Sequence, residues 1–323
     1  MHMFLSAMQW LHGRKEHMYR KQLLTRYFAE WVDTYKRDAV TPITLNKYLM
    51  TLRHLEVLAP EVTLGELSRL EYQRILNDFA KTHERQTVMD FHHQVKAAIV
   101  DAVDEGVLRR DPTRKAVVKG KQPRAKRPKY LNQSELRAML AALQLDDDHL
   151  TDYLLLLVAK TGLRFGEALG LTPDDIDFQT QQINVGKTWN YKNPEGGFAP
   201  TKNRSSRRKV RMDWSLSMHL KQLCAGRDSD KPIFVIEGKR VFNATVNDRL
   251  KAVCKECGIP VITVHGLRHT HASLLLYAGV SVASVAKRLG HSNMVTTQTT
   301  YLHVIKELEA KDTDKIMQFL STL

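Results

Sequence analysis

Residues 263–276 read T-V-H-G-L-R-H-T-H-A-S-L-L-L; a second helical run ends L-G-H at Leu289-Gly290-His291, and T-T-Q-T-T-Y closes the stretch at Tyr301. Apolar residues recurring every three or four positions predict two helices. Between them stand one arginine, several histidines and one tyrosine. A guanidinium suits bidentate binding of a phosphodiester, and a phenol can attack one. The stretch therefore predicts a mainly helical domain built to hold and attack a phosphate. It needs a second arginine, an acid and a grip on a polyanion from elsewhere in the chain.

Upstream, residues 161–171 read T-G-L-R-F-G-E-A-L-G-L. Arg164 follows a glycine turn and opens a helix, whose start adds to the pull on an anion. Glu167, three residues on, lies on the same face and can fix the arginine. Residues 176–189 and 206–212 read as strands around a glycine-bearing loop at Gly196-Gly197. The expectation is a small antiparallel sheet whose hairpin presents Lys202. A strand-like piece is also expected at Ile233-Phe234-Val235. Asn132-Gln133-Ser134-Glu135 has the form of a capping box, and the apolar run from Tyr153 to Ala159 predicts a buried helix.

The first part of the chain shows no strand-like alternation. Leu24, Tyr27, Phe28, Trp31, Val32 and Tyr35 make one apolar helical face. Thr41-Pro42 marks a second helix start, and further helical runs cover about 64–79 and 85–105. Residues 119–129 read K-G-K-Q-P-R-A-K-R-P-K, in which six of eleven are basic. Such a run cannot bury a core, so it is a linker, and its cations suit phosphates. The expected organisation is a short lead at 1–20, a helical unit at 21–118, the linker at 119–129 and a second domain at 130–323.

The formal charge of +14 over 323 residues favours a polyanion, with nucleic acid the first candidate. Three cysteines argue against a disulfide scaffold and suit a reducing cytosol. No apolar run approaches membrane-spanning length, and the start has no signal-peptide pattern. Cys254, Cys257, His265 and His269 fall in zinc-like C-x2-C and H-x3-H order. The gap between the pairs is shorter than in a usual finger and holds no finger-like core, so no metal site is assigned.

Taken in order, Arg164, Lys202, His265, Arg268, His291 and Tyr301, with the pieces quoted above, resemble the tyrosine recombinase (phage integrase) family. The wording is most similar to integrases of Gram-positive phages and integrative elements. The resemblance covers about 130–323, with the helical part more loosely similar to the family's core-binding domain. It implies a mainly α fold with a small antiparallel β-sheet in the catalytic domain (α+β), two domains joined by a basic linker and clamped around DNA. It implies a site-specific recombinase in which Tyr301 attacks the scissile phosphate and forms a 3′-phosphotyrosyl link, without ATP, metal or other cofactor. Arg164 and Arg268 would clamp the phosphate, Lys202 would be the acid, His265 the base or a partner of the tyrosine, His291 a phosphate ligand and Glu167 a support. His269 and His271 would be scaffold. Lys119, Lys121, Arg124, Lys126, Arg127 and Lys129 would hold DNA. The implied partners are double-stranded DNA core sites, a homo-tetramer on that DNA, an excisionase and a host DNA-bending protein, in the cytoplasm at the nucleoid. Many integrases of this group carry a separate arm-binding domain, for which the lead at 1–20 is too short. The alternatives are a type IB topoisomerase-like enzyme and an inactive DNA-binding relative. Past Tyr301, Ile305, Leu308, Ile316, Phe319 and Leu320 predict a short apolar tail helix.

Overall fold

The computed structural model describes residues 21–122, 129–193, 195–201, 203–301 and 320–321. The lead at 1–20, Arg124, Lys126, Arg127, Lys202 and nearly all of the tail helix lie outside them. The chain divides into two compact units between Ala125 and Lys126.

The first unit contains helices α1 (Leu24–Tyr35), α2 (Pro42–Leu58), α3 (Arg69–Ala80) and α4 (Arg85–Asp104). Their starts are written locally. Thr41 caps α2 ahead of Pro42, and Ser68 Oγ accepts the Glu71 amide at 3.1 Å at the head of α3. That cap places Leu64 and Leu67 in the loop before α3, where both are still buried. The predicted face of α1, from Leu24 to Val32, is buried against Tyr72, Ile75, Val88, Val95 and Ile99. Each such side chain contributes about 1.5–3 kcal/mol on burial. Polar ties fix the packing: Trp31 Nε1 donates to Asp101 at 2.6 Å and Tyr35 to Glu105 at 2.8 Å. Beyond α4, the chain carrying Lys119 and Lys121 returns to the start of that helix, where the Lys121 amide donates to the His83 carbonyl at 2.8 Å. A Cβ on Gly120 would sit 2.3 Å from the Arg85 nitrogen, so only glycine fits that approach.

The second unit is built on α6 (Leu150–Thr161), in which every residue from Asp152 to Ala159 is buried. Around it lie α5 (Gln133–Ala141), α7 (Phe165–Leu169), α8 (Trp214–Cys224), α9 (Asn243–Glu256), α10 (Val264–Tyr277), α11 (Val282–Leu289) and α12 (Met294–Thr300). The capping box at α5 forms as its sequence predicts: Asn132 Oδ1 accepts the Glu135 amide at 2.9 Å, and Glu135 takes the Asn132 amide at 2.7 Å. Asp152 on α6 is fully buried but receives Arg249 of α9 through two bonds of 2.8 and 2.5 Å.

The fold is mainly helical with small antiparallel sheets, as expected. The strand boundaries differ from the sequence expectation. The run at 176–189 breaks into β1 (Ile176–Asp177), β2 (Gln182–Val185) and β3 (Lys187–Trp189). Asp177 collects the Gln179 and Thr180 amides into a tight turn, and Gln181 takes a positive φ of 53°. β2 pairs with β1 on one side and with β5 (Arg208–Arg211) on the other, with Ile183 opposite Val210. β3 pairs with β4 (Phe198–Pro200) as a separate hairpin. Ile233 to Val235 is no strand. Ile233 and Phe234 are buried in a turn, where the Ile233 amide bonds the Leu171 carbonyl at 2.8 Å.

Candidate active site

Three helix ends and one strand converge on the site. Helix α6 terminates at Gly162 in the left-handed conformation, φ 70°, and the chain turns straight into Arg164 at the head of α7. Glu167 lies three residues on and is 1% exposed. Its Oε1 accepts Arg164 Nη1 at 2.7 Å and its Oε2 accepts the Arg164 backbone amide at 3.0 Å. Arg164 also reaches the Gly290 carbonyl at 3.0 Å, which ties α7 to the end of α11.

Arg268 comes from α10 and is 3% exposed. Its guanidinium donates to the Gly162 carbonyl at 2.5 Å and to the Leu289 carbonyl at 2.7 Å. Among the described residues no carboxylate pairs with it. Burial, reinforced by the nearby Arg164 charge, pushes its pKa down to about 9. It is still a cation at neutral pH, held without a counter-ion. Two guanidiniums close enough for their charges to interact suit an anion.

Arg208, a third arginine, was not singled out by the motif. It stands on β5, is 5% exposed in its side chain, and donates Nη2 to Glu167 at 3.0 Å and Nε to the Arg288 carbonyl at 2.6 Å. The signal for it is the period of two: Val210 is buried, so Arg208 shares its inward face. Glu167 thus bridges Arg164 and Arg208. Burial alone raises its pKa, but the charges of Arg208 and Arg164 outweigh that and hold it below the usual carboxylate range. At the other end of this network Gly290 takes φ 68°, and a Cβ there would sit 2.9 Å from Arg208 Nη1.

Four histidines surround the arginines. His291 follows Gly290, and its Nδ1 lies 2.7 Å from Thr297 Oγ1 on α12. Burial and the Arg268, Arg164 and Arg208 charges bring it down to about 4. His265 sits on the exposed rim of α10, its ring edge-on to His269 at 4.7 Å; desolvation there and the Arg268 and Arg164 charges lower its pKa. Tyr301 ends α12 and is 2% exposed. Burial raises its phenol to about 12, against the opposing pull of Arg268. The phenol oxygen lies 2.9 Å from Nδ1 of His269, one residue past Arg268. His265, the histidine expected beside the tyrosine, has no such bond.

His271 is a structural group. Its Nδ1 donates to the Ala159 carbonyl at 3.1 Å, so Nε2 is free to accept Arg288 Nε at 2.8 Å. Burial first, then Arg288, depresses its pKa to about 3. The unfolded chain therefore takes up a proton near pH 6.5 that the native state refuses. The stability this gives is complete above pH 6.5 and is lost as pH falls toward the folded value. Urea denaturation should show stability declining by about 1.4 kcal/mol per pH unit for this group below pH 6. His271→Gln should remove that increment, leaving the part due to the other low-pKa histidines, His269 and His291.

The remaining expected residues are spread as follows. Lys202 and linker residues Arg124, Lys126 and Arg127 lie outside the described residues. Lys119 and Lys121 belong to the first unit. Lys129 precedes α5, and its carbonyl approaches Gly266 of α10 so closely that a Cβ there would be 2.9 Å away. The zinc-like quartet is dispersed: Cys254 is in the core, Cys257 Sγ donates to the Ala138 carbonyl at 3.6 Å, and His269 holds Tyr301.

Residues 129–307 match the model of the phage integrase family. The XerC-like tyrosine recombinase of Caldanaerobacter subterraneus subsp. tengcongensis is 28% identical over 311 residues, covering 85% of this chain and 78% of that protein. The ICEBs1 integrase of Bacillus subtilis is 26% identical, covering 68% of this chain and 62% of its own length. The integrase of Staphylococcus phage L54a is 28% identical over 49% of each chain, so this chain spans about half to two thirds of these two relatives. Among solved structures, the Tn1549 transposon integrase in complex with transposon right end DNA superposes with a TM-score of 0.74 at 19% identity, covering 87% of this chain and 95% of that one. A helical unit followed by an α+β domain with two arginines and a buried tyrosine is the class of the tyrosine recombinases. The chain belongs to the phage integrase family.

Proposed function

We propose that this chain cuts and rejoins DNA at specific core sites, with Tyr301 as the nucleophile, to integrate or excise a mobile element or phage genome. The observation that carries this is Arg268: a buried cation without a carboxylate partner among the described residues, beside Arg164 and electrostatically coupled to Tyr301. A scissile phosphate would complete that site. Arg164 and Arg268 would clamp its non-bridging oxygens as charge shifts in the transition state. Tyr301 Oη would bond to phosphorus, the bond to the 5′-oxygen would break, and Lys202 would protonate the leaving oxygen. The 3′-phosphotyrosyl link keeps the energy of the broken bond, so a second strand's 5′-hydroxyl can reverse the step without ATP. His265 would stand near the tyrosine in a supporting role, His291 would bond the phosphate, and Glu167 would hold Arg164.

In this reading, 21–118 is the core-binding domain, 130–323 the catalytic domain and 119–129 the linker between them. Lys119, Lys121, Arg124, Lys126, Arg127 and Lys129 would bind the backbone and release its counterions. The partners would be a homo-tetramer on the DNA, an excisionase and a host bending protein, at the nucleoid. The test is a nicked substrate that traps the cleaved strand. The native protein should give a protein–DNA adduct resistant to SDS, and Tyr301→Phe should give none. An undiminished adduct in that variant would remove Tyr301 from the role.

A further inference from the structure

The phenol of Tyr301 is held by His269, an imidazole outside the H-x-x-R motif. The contact is direct, 2.9 Å from Oη to Nδ1, with the rings edge to face at 5.7 Å. His269 is half-buried, and Tyr301 is nearly closed to solvent. Among the described residues His269 is the side chain that hydrogen-bonds this oxygen. Such a bond needs one donor, and the phenol is that donor when Nδ1 carries no proton, with the ring hydrogen then on Nε2.

We propose that His269 is the proton acceptor for Tyr301 in strand cleavage. The step rests on the nucleophile assignment above. As the Oη–P bond forms, the phenol O–H bond breaks and its proton passes to His269 Nδ1. The P–O5′ bond breaks and the leaving oxygen takes a proton from the acid. In the rejoining step the same proton returns to Oη. His265, one turn earlier on α10, packs its ring against His269 at 4.7 Å and orients it.

The groups acting on His269 are His265 and Arg268 on α10, Lys129 before α5, and Tyr301 and His291 beyond α11. Burial, then His265, Arg268 and Lys129, depresses its pKa to about 4, so at neutral pH the ring is uncharged, and in its Nε2–H tautomer Nδ1 accepts the phenol hydrogen. It is a weak base in that state, and the phenol, raised to about 12, keeps its proton. A phosphodiester seated on Arg164 and Arg268 adds a negative charge that offsets the cations lowering His269. Its basicity would therefore rise with a phosphate in place.

Single-turnover cleavage of the trapping substrate, followed from pH 6 to 9, separates the possibilities. His269→Asn keeps a hydrogen-bond acceptor near the Nδ1 position but cannot take the proton; His269→Ala removes both. Both variants should cleave roughly 10²-fold more slowly, with gel-shift affinity unchanged. Their rates should climb about tenfold per pH unit as hydroxide replaces the imidazole, while the native rate stays flat. Free imidazole should restore part of the rate of His269→Ala. His269→Asn cleaving at the native rate with a flat profile would overturn the proposal, because the residue would then only hold the phenol. An adduct that persists in Tyr301→Phe would instead overturn the nucleophile assignment, and this proposal with it.

Discussion

Arg268→Ala should leave DNA binding in a gel shift within a fewfold of native and lower the cleavage rate on the order of 10³-fold. In the proposed reading, linker cations and backbone contacts would supply most of the DNA affinity, so one buried arginine would add little to it. In the proposed step the same arginine would be one of two charges on the transferring phosphate, and it would need no reorganisation because the Gly162 and Leu289 carbonyls already fix it. Removing it also leaves those carbonyls without their donor, so a melting curve belongs with the rate. Arg268→Lys separates the two effects. It keeps the charge but loses the planar fork, and should fold well while still cleaving slowly. Loss of binding in parallel with cleavage would make Arg268 a DNA-grip residue.

Arg208→Met should destabilise the second unit by about 3–5 kcal/mol, the cost of leaving a buried carboxylate short of a partner. Glu167 is 1% exposed and balances two guanidiniums. With Arg208 gone, Arg164 alone opposes the desolvation of that carboxylate, and the Arg288 carbonyl loses its donor. The double variant Arg208→Met with Glu167→Gln should recover part of the loss, since no buried charge is then stranded. Full additivity in that cycle would mean the two residues do not act as a pair. The pH dependence has a definite sign. Glu167 has a folded pKa below its unfolded value, so its stabilisation is present above about pH 4.3 and disappears as pH falls through the folded pKa. Native protein should lose that increment on acidification, and Arg208→Met should have less of it to lose.

The fold class and family were legible because both rest on local signals. Helical periodicity marks α1 and α6, Thr41-Pro42 and Asn132 mark helix starts, and the T-G-L-R, H-G-L-R-H and L-G-H pieces each sit at a helix end that the chain itself dictates. The site details were less legible where they depend on docking. Arg208 reads as one more cation in a basic hairpin until the pairing of β5 with β2 fixes which face turns inward. His269 reads as scaffold because nothing in its spacing tells where α12 will bring Tyr301. The strand-like run at 176–189 has the right residues, but the Asp177 turn divides it. Ile233 and Phe234 are apolar enough for a strand, yet they fill the core from a turn.

The proposed chemistry requires Tyr301 to become covalently joined to DNA. The most direct measurement traps the adduct on a nicked substrate, digests it with trypsin and identifies the peptide carrying the nucleotide. Residues 289–306, L-G-H-S-N-M-V-T-T-Q-T-T-Y-L-H-V-I-K, form one tryptic peptide with Tyr301 as its single tyrosine. The expected result is a 3′-phosphonucleotide on that peptide at Tyr301. A nucleotide on any other residue, or a free 3′-phosphate with no protein attached, would rule Tyr301 out as the nucleophile.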